Sequence, residues 1–226
     1  MTRHEPDRSR VQRALTSDDP STRLQAALFA GTHPGILPAE VLIERCAVEP
    51  DFFARDTLSW ALTRYDRAVT LDRLLAELGS AIPQARSQAL HTLSKIGDKR
   101  AWGAVAGFVR DPDDEIARAA WRAAAALVPD GEQGRLAGSL VTQLGRGSSD
   151  LQRSLSRALV ALGAAAEPAV AGARNHRDQR VRAHAIATER LLRDPDEQFA
   201  AALAEANRIL ALRGAPTVPE AADADR

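Results

Sequence analysis

Cysteine, lysine, tyrosine and methionine are nearly missing from this chain of 226 residues, which holds one Cys, two Lys, one Tyr and one Met. The single thiol, Cys46, excludes a disulfide framework and any multi-cysteine zinc site. Aromatic residues make up only 4%. Branched aliphatics are sparse as well, with 12 Val and 7 Ile against 45 Ala and 26 Leu. Such an excess of strong helix formers predicts a nearly all-helical chain. No apolar run approaches the roughly 18 to 20 residues needed to span a bilayer, so no membrane partner is expected. Met1 to Arg13 has no apolar stretch and mixes Glu5 and Asp7 with its arginines, unlike a secretory signal or a transit peptide. With one thiol and no export signal, a reducing cytoplasm is the expected location.

What is present is charge in balance. Thirty Lys+Arg stand against thirty Asp+Glu, a formal net charge of zero. Neutrality argues against binding nucleic acid or anionic membrane by bulk charge. Charged residues at 27% together with ample Leu argue against a disordered chain. Of the 30 basic residues 28 are Arg, which a GC-rich genome explains more simply than selection for guanidinium forks.

An acidic or small polar residue, then Arg four positions on, then Ala/Leu at helical spacing, recurs along the chain. It stands at Asp19–Arg23, Asp51–Arg55, Asp114–Arg118, Ser149–Arg153 and Asp178–Arg182, and Arg86 joins the series with Ile82 in the leading place. The six arginines are spaced by 32, 31, 32, 35 and 29 residues, which marks a structural repeat. Each unit reads as a helical hairpin whose Asp/Ser/Pro turn caps the second helix. Second helices are predicted at 21–31, 52–65, 83–96, 115–128, 150–162 and 179–193. First helices are predicted near 8–16, 38–48, 68–79, 99–110, 132–145 and 166–174, and a last helix over 196–212. The expected organisation is a flexible N-terminus over 1–7, one solenoid domain over 8–213, and a disordered tail over 214–226 that holds Pro216 and Pro219.

Paired helices of this length, with Asp-x-x-x-Arg-x-x-Ala in the second helix and Asp-Pro turns, resemble HEAT repeats. More narrowly, they are similar to the short HEAT-like repeats of phycobilin lyases. The resemblance covers roughly residues 8 to 193 and implies an all-α fold: a right-handed α-α superhelix, HEAT/armadillo-like, of about six hairpins plus a C-terminal capping helix. It also implies an interaction scaffold, since most such proteins serve as one, although the phycobilin lyases and the HEAT-like alkylpurine DNA glycosylases are related arrays. A repeat fold by itself does not assign a function.

The repeated Arg23, Arg55, Arg86, Arg118, Arg153 and Arg182 are read as a structural ladder, each pairing with its own Asp or with the next repeat. Stacking itself requires apolar burial: Leu90, Leu93 and Ile96 cannot be covered within one hairpin. Second helices are expected to line a concave face. Five and nine residues after the repeated Arg, the second and third units carry Trp60, Arg64, His91 and Lys95 where later units have small or apolar residues. Arg122 and Arg157 extend the basic side, and Asp56 and Asp72 balance it. A Trp among Arg, His and Lys suits a partner's acidic or aromatic side chain. The competing reading has Trp60 filling an interhelix gap. Trp102 and Trp121 are expected to pack in the fourth unit, and one of Phe52 and Phe53 to be core.

Enzyme signals are weak. Asp56, Ser87, Ser94 and His91 hold the ingredients of a nucleophile and base, but no sharp turn or Gly-rich elbow supports them. The five histidines, His4, His33, His91, His176 and His184, show no metal-ligand spacing, and Cys46 reads as a small core residue. No phosphate loop or dinucleotide fingerprint occurs, and Gly145 to Ser149 reads as a connection. The expectation is a cytoplasmic, monomeric, non-catalytic scaffold with a protein partner on its concave face, no cofactor and no metal. The alternatives are a DNA-binding or DNA-repair protein, against which neutrality counts, and a phycobilin-lyase-like enzyme or chaperone, for which no chromophore nucleophile stands out.

Overall fold

Asp19, Asp51 and Asp178 each accept hydrogen bonds from backbone N–H groups of the helix that follows and so cap it, while in the fourth and fifth units the cap stands one residue earlier, at Asp113 and Ser148. The structure is a computed structural model that describes residues 4–213. The first helices of six hairpins are α1 (His4–Ala14), α3 (Ala39–Val48), α5 (Arg67–Glu77), α7 (Trp102–Ala106), α9 (Gln133–Val141) and α11 (Glu167–Ala173). The second helices are α2 (Pro20–Thr32), α4 (Phe52–Leu62), α6 (Pro83–Ile96), α8 (Asp114–Leu127), α10 (Ser149–Ala161) and α12 (Gln179–Arg193). A final helix, α13 (Phe199–Arg213), packs on α12. No strand occurs among the described residues. The molecule is an all-α helical-repeat superhelix.

Several first helices are shorter than the sequence suggests. The helix expected over 99–110 is a 3-10 turn, Lys99–Ala101, followed by the five-residue α7. Gly103 and Gly107 weaken that segment. The helix expected near 166 is likewise preceded by a 3-10 turn, Gly163–Ala166. At the N-terminus α1 begins at His4, inside the segment expected to be flexible. Residues 1–3 and the tail expected over 214–226 lie outside the described residues.

Apolar burial runs without a break along the array, from Val11 in α1 to Val170 in α11. Leu90, Leu93 and Ile96 are buried in it, as are Leu58, Leu62, Leu71 and Leu74. Each such Leu contributes about 1.5–3 kcal/mol relative to exposure. Consecutive second helices pack on each other more extensively than consecutive first helices do, which places them on the inside of the curve. Alanines make this possible: Ala117, Ala119, Ala120, Ala123 and Ala124 of α8 are all buried. Trp121 is fully buried and its Nε1 donates to the carbonyl of Val109 at 2.8 Å; Trp102 is half-buried against the same core. Cys46 is buried, and desolvation pushes its thiol pKa up to about 12. Phe52 and Phe53 depart from expectation, because both are exposed and the core position is Ala54. They occupy the first turn of α4 and meet each other edge to face, with centroids 5.5 Å apart.

The arginine ladder takes a different form from Asp–Arg pairing within a helix. The Asp is engaged in capping, and the Arg reaches back to the turn before it. Nη1 of Arg23 donates to the carbonyls of Ser17 and Asp18, at 2.8 and 2.9 Å. Arg55 does the same with Glu49 and Pro50, both at 2.7 Å, and Arg182 with His176 and Arg177, both at 2.8 Å. These three arginines cap carbonyls that the preceding segment leaves unsatisfied. Three others depart from the scheme. Arg118 and Arg153 pair with Glu115 and Asp150 one turn earlier in their own helices. Arg86, whose leading residue Ile82 supplies no side-chain cap, meets Asp111 at 3.8 Å, and its Nε has no partner among the described residues. In the fourth unit Arg146 of the next turn takes over, donating to the carbonyls of Asp111 and Pro112 at 2.8 Å each and pairing with Asp114.

Two buried polar centres lock neighbouring units together. Glu49, with no exposed side-chain surface, accepts from both Nε and Nη2 of Arg23 at 2.8 Å, from Arg45 at 2.7 Å and from the Asp51 N–H at 2.9 Å. Burial alone would raise the Glu49 pKa, but these donors together hold it below its ordinary value. The second centre is His184 of α12, also fully buried. Its Nδ1 accepts from the Gly145 N–H at 3.0 Å, and its Nε2 faces the Gln152 carbonyl and Ser156 Oγ at 3.0 and 2.9 Å. Gly145 has φ +79°, and Val181 backbone lies close against it, so only glycine suits this turn. Desolvation pulls the His184 pKa down to about 4.

Candidate functional site

On the inner layer, α4, α6 and α8 leave a cleft of about 170 Å³ between them. Helix α4 supplies Phe52, Arg55 and Asp56; α6 supplies Ser87, Gln88 and His91; α8 supplies Glu115, Arg118, Ala119 and Arg122. Relative to the repeated Arg these are mainly positions −3, 0, +1 and +4 or +5, one face of a helix. The face turns toward the cleft because the opposite sides of these helices carry the buried Ala and Leu of the core.

His91 joins the three helices. Its Nε2 lies 3.3 Å from Oδ1 of Asp56, and its Nδ1 accepts from Nη1 of Arg122 at 3.1 Å. Lys95, one turn further along α6, places Nζ 2.6 Å from the same Asp56 oxygen. Burial lowers the His91 pKa, Lys95 and Arg122 lower it further, and Asp56 opposes them. The hydrogen bond from Lys95 holds the Asp56 carboxyl below its ordinary range. Arg118 pairs with Glu115. Arg122 has no carboxylate at salt-bridge distance among the described residues. Desolvation, and then the neighbouring charges of Arg118 and Arg157, lower its pKa. Arg157 stands exposed on α10, again with no carboxylate at that distance among the described residues. It lines an adjoining groove of about 440 Å³ with Arg153, Val160, Leu191, Phe199 and the carboxylates of Asp196 and Glu197, of which Glu197 pairs with Arg190.

The stripe expected from the sequence is therefore divided. His91, Lys95 and Arg122 come together, and Arg157 flanks them. Trp60 and Arg64 do not join them. The Trp60 ring lies on Gly31 of α2, where a Cβ would come within 2.3 Å of the indole. Trp60 thus fills the groove between α2 and α4 and is 36% exposed. In the last three units the position five residues after the Arg is buried between helices, at Ala123, Ala158 and Ala187, and in the second unit Trp60 turns the same way. Arg64 is exposed and lies beyond the end of α4, which stops at Leu62 rather than at 65. The chain turns at Thr63, and the stripe loses its helical register. Asp72, on the first-helix layer, is not part of the cleft. The residues not anticipated are Gln88, Glu115 and Ala119. Phe52 and Glu115 share position −3, a register that the +5 and +9 comparison does not sample.

As chemistry, the cleft offers guanidinium and imidazole donors beside an exposed aromatic ring. Ser94 Oγ donates to the carbonyl of its own helix at His91, and the His91 ring is engaged by Asp56 and Arg122. Among the described residues no three His, Cys, Asp or Glu side chains are grouped to hold a metal. Among those residues, too, no helix is long and apolar enough to cross a membrane.

No family model matches the chain, and no curated protein matches it. Several solved structures are similar. One engineered protein shares 18% identity at a TM-score of 0.44, over 83% of this chain and 96% of its own. A second engineered protein shares 17% at 0.45, over 82% of this chain and 98% of its own. The complex of CpcE and CpcF of phycocyanin lyase from Nostoc sp. PCC7120 shares 17% at 0.39, over 90% of this chain and 94% of that one. Likenesses at this level leave the reading of the cleft to its own residues.

Proposed function

We propose that this helical-repeat protein is a non-catalytic, HEAT-like interaction module that holds an acidic segment of a protein partner against its second-helix layer. The observation that carries this reading is Arg122. It stands in a cleft bridging three helices, and its one hydrogen bond among the described residues goes to the imidazole of His91. The carboxylates of a partner segment would pair with this guanidinium and its neighbours across the three helices. Phe52, exposed at the rim, provides apolar area beside the charges. A helical array suits such a role, because a partner can lie across several units without any change in the core.

Nucleic acid is disfavoured by the same geometry. A phosphate backbone needs a continuous basic stripe, and here Asp56, Glu115 and Asp150 each neutralise a neighbouring cation and break the stripe up. The non-catalytic reading is supported by His91, whose two ring nitrogens are committed to Asp56 and Arg122 rather than to a serine.

Paired affinity capture from the source cell tests the proposal. Wild-type protein and an Arg122→Glu/Arg157→Glu variant are used side by side, with quantitative mass spectrometry. The expected result is a partner retained by wild type and depleted at least tenfold by the variant. Equal retention on both would overturn the assignment of this cleft.

A further inference from the structure

We propose that the group read by the cleft is a phosphate monoester carried on a side chain of the partner, seated between Arg118, Arg122 and Arg157. The inference rests on the reading of this face as a partner-binding surface and names what it recognises.

The argument is one of charge count and geometry. Arg118 shares Glu115, whereas Arg122 and Arg157 have no carboxylate at salt-bridge distance among the described residues. Across the cleft and the adjoining groove the pairs Asp56–Lys95, Asp150–Arg153 and Glu197–Arg190 cancel, and Arg55, Arg118, Arg122 and Arg157 then stand against Glu115 and Asp196, an excess of two positive charges. A phosphate monoester carries about −1.5 to −2 at neutral pH, which matches that excess; a carboxylate neutralises half of it. Guanidinium forks bind phosphate oxygens in pairs, with a directionality that a lysine ammonium lacks. Asp56 does not oppose the anion, because Lys95 and His91 occupy it. The Nη1 of Arg122 is anchored on His91, which leaves the rest of the fork to face outward. At about 170 Å³ the cleft accepts the end of a side chain. It falls below the roughly 300 Å³ at which pockets begin to enclose whole small-molecule ligands, and the groove of about 440 Å³ beside Arg157 leaves room for the chain that carries the phosphate. Desolvation first, and then the charges of Arg118 and Arg157, lower the Arg122 pKa, and a dianion entering beside them offsets the second of these effects.

The test is a titration of the full chain followed by the NMR signals of arginine Nε–H groups. O-phosphoserine is the probe, with glutamate and inorganic phosphate as comparison ligands at matched ionic strength. O-phosphoserine should produce saturable shifts at Arg118 and Arg122, with affinity at least tenfold above that of glutamate. Arg122→Gln/Arg157→Gln should lower that affinity at least tenfold with an unchanged thermal melt, and Arg122→Lys should give an intermediate loss. Absence of saturable shifts, equal affinity for glutamate, or affinity retained in the double variant would each overturn the proposal. Inorganic phosphate binding more tightly than O-phosphoserine would do so too, by pointing to the free ion. The two readings fail separately. Specific O-phosphoserine binding, together with a captured partner indifferent to the charge reversal, removes the partner reading and keeps the phosphate site. The opposite pair of results removes the phosphate site alone.

Discussion

Arg122 on α8 donates a hydrogen bond to Nδ1 of His91 on α6, at 3.1 Å. A guanidinium has no acceptor, so this contact requires a lone pair on Nδ1 and puts the ring proton of neutral His91 on Nε2, facing Asp56. The bond therefore ties the charge state of one helix to the position of the next.

His91 is accordingly expected to titrate below the ordinary histidine value of 6.5, as the Nε2–H tautomer. Lys95→Met should raise its pKa by removing a neighbouring cation, and Asp56→Asn should lower it further. Ring 15N chemical shifts across a pH series check both. A His91 that titrates above 6.5 contradicts the arrangement.

His184 makes stability depend on pH. Its folded-state pKa lies near 4, against 6.5 when unfolded. Between those values the unfolded chain binds the extra proton, so stability rises with pH. Its contribution is complete above 6.5 and is lost as pH falls toward 4, a change of about 3 kcal/mol. Urea midpoints measured between pH 4 and 7 should show this loss on the acid side, with the His184 ring still neutral at pH 5.5. A ring that titrates normally would remove the explanation.

Glu49→Gln should destabilise the fold by ~3–5 kcal/mol, because Arg23 and Arg45 lose their shared counter-charge in a buried setting. Chemical denaturation reads this directly. A loss under 1 kcal/mol would mean that the Glu49 cluster is not the lock between the first two units.

Gly31→Ala tests the seat of Trp60. The added methyl meets the indole, so the substitution alone should lower stability by about 1–3 kcal/mol through overpacking. In a Trp60→Leu background the cost should fall to the part set by the Ala61 backbone, whose Cα lies 3.0 Å from the added methyl. A double-mutant cycle with no coupling would place Trp60 elsewhere.

These contacts mark how far the sequence could be read. The helical hairpins were legible because their signals are local. Asp-Pro turns and Ala/Leu periodicity place α2, α4, α6, α8, α10 and α12 within about three residues of where they are found. Partners were less legible, because they are not local. Arg23 meets Glu49 across 26 residues, and Arg146 substitutes for Arg118 at the carbonyls of the fourth turn. His91, Lys95 and Arg122 are legible because a departure from Ala/Leu at equivalent positions of the second helices signals a surface group. Trp60 was misplaced because the same alignment position lies between helices, where only its fit on Gly31 decides which way the ring turns. Arg64 was misplaced because α4 ends one turn early at Thr63.

Site-directed photo-cross-linking tests the central claim, that the cleft of α4, α6 and α8 is the binding face. A photoreactive residue is placed at Gln88, inside the cleft, and in a separate protein at Arg135, exposed on the outer helix α9. On irradiation in the source cell, the account predicts a discrete adduct from position 88, abolished by Arg122→Glu/Arg157→Glu, and none from position 135. An adduct from 135 alone, or one from 88 that survives the charge reversal, would contradict it.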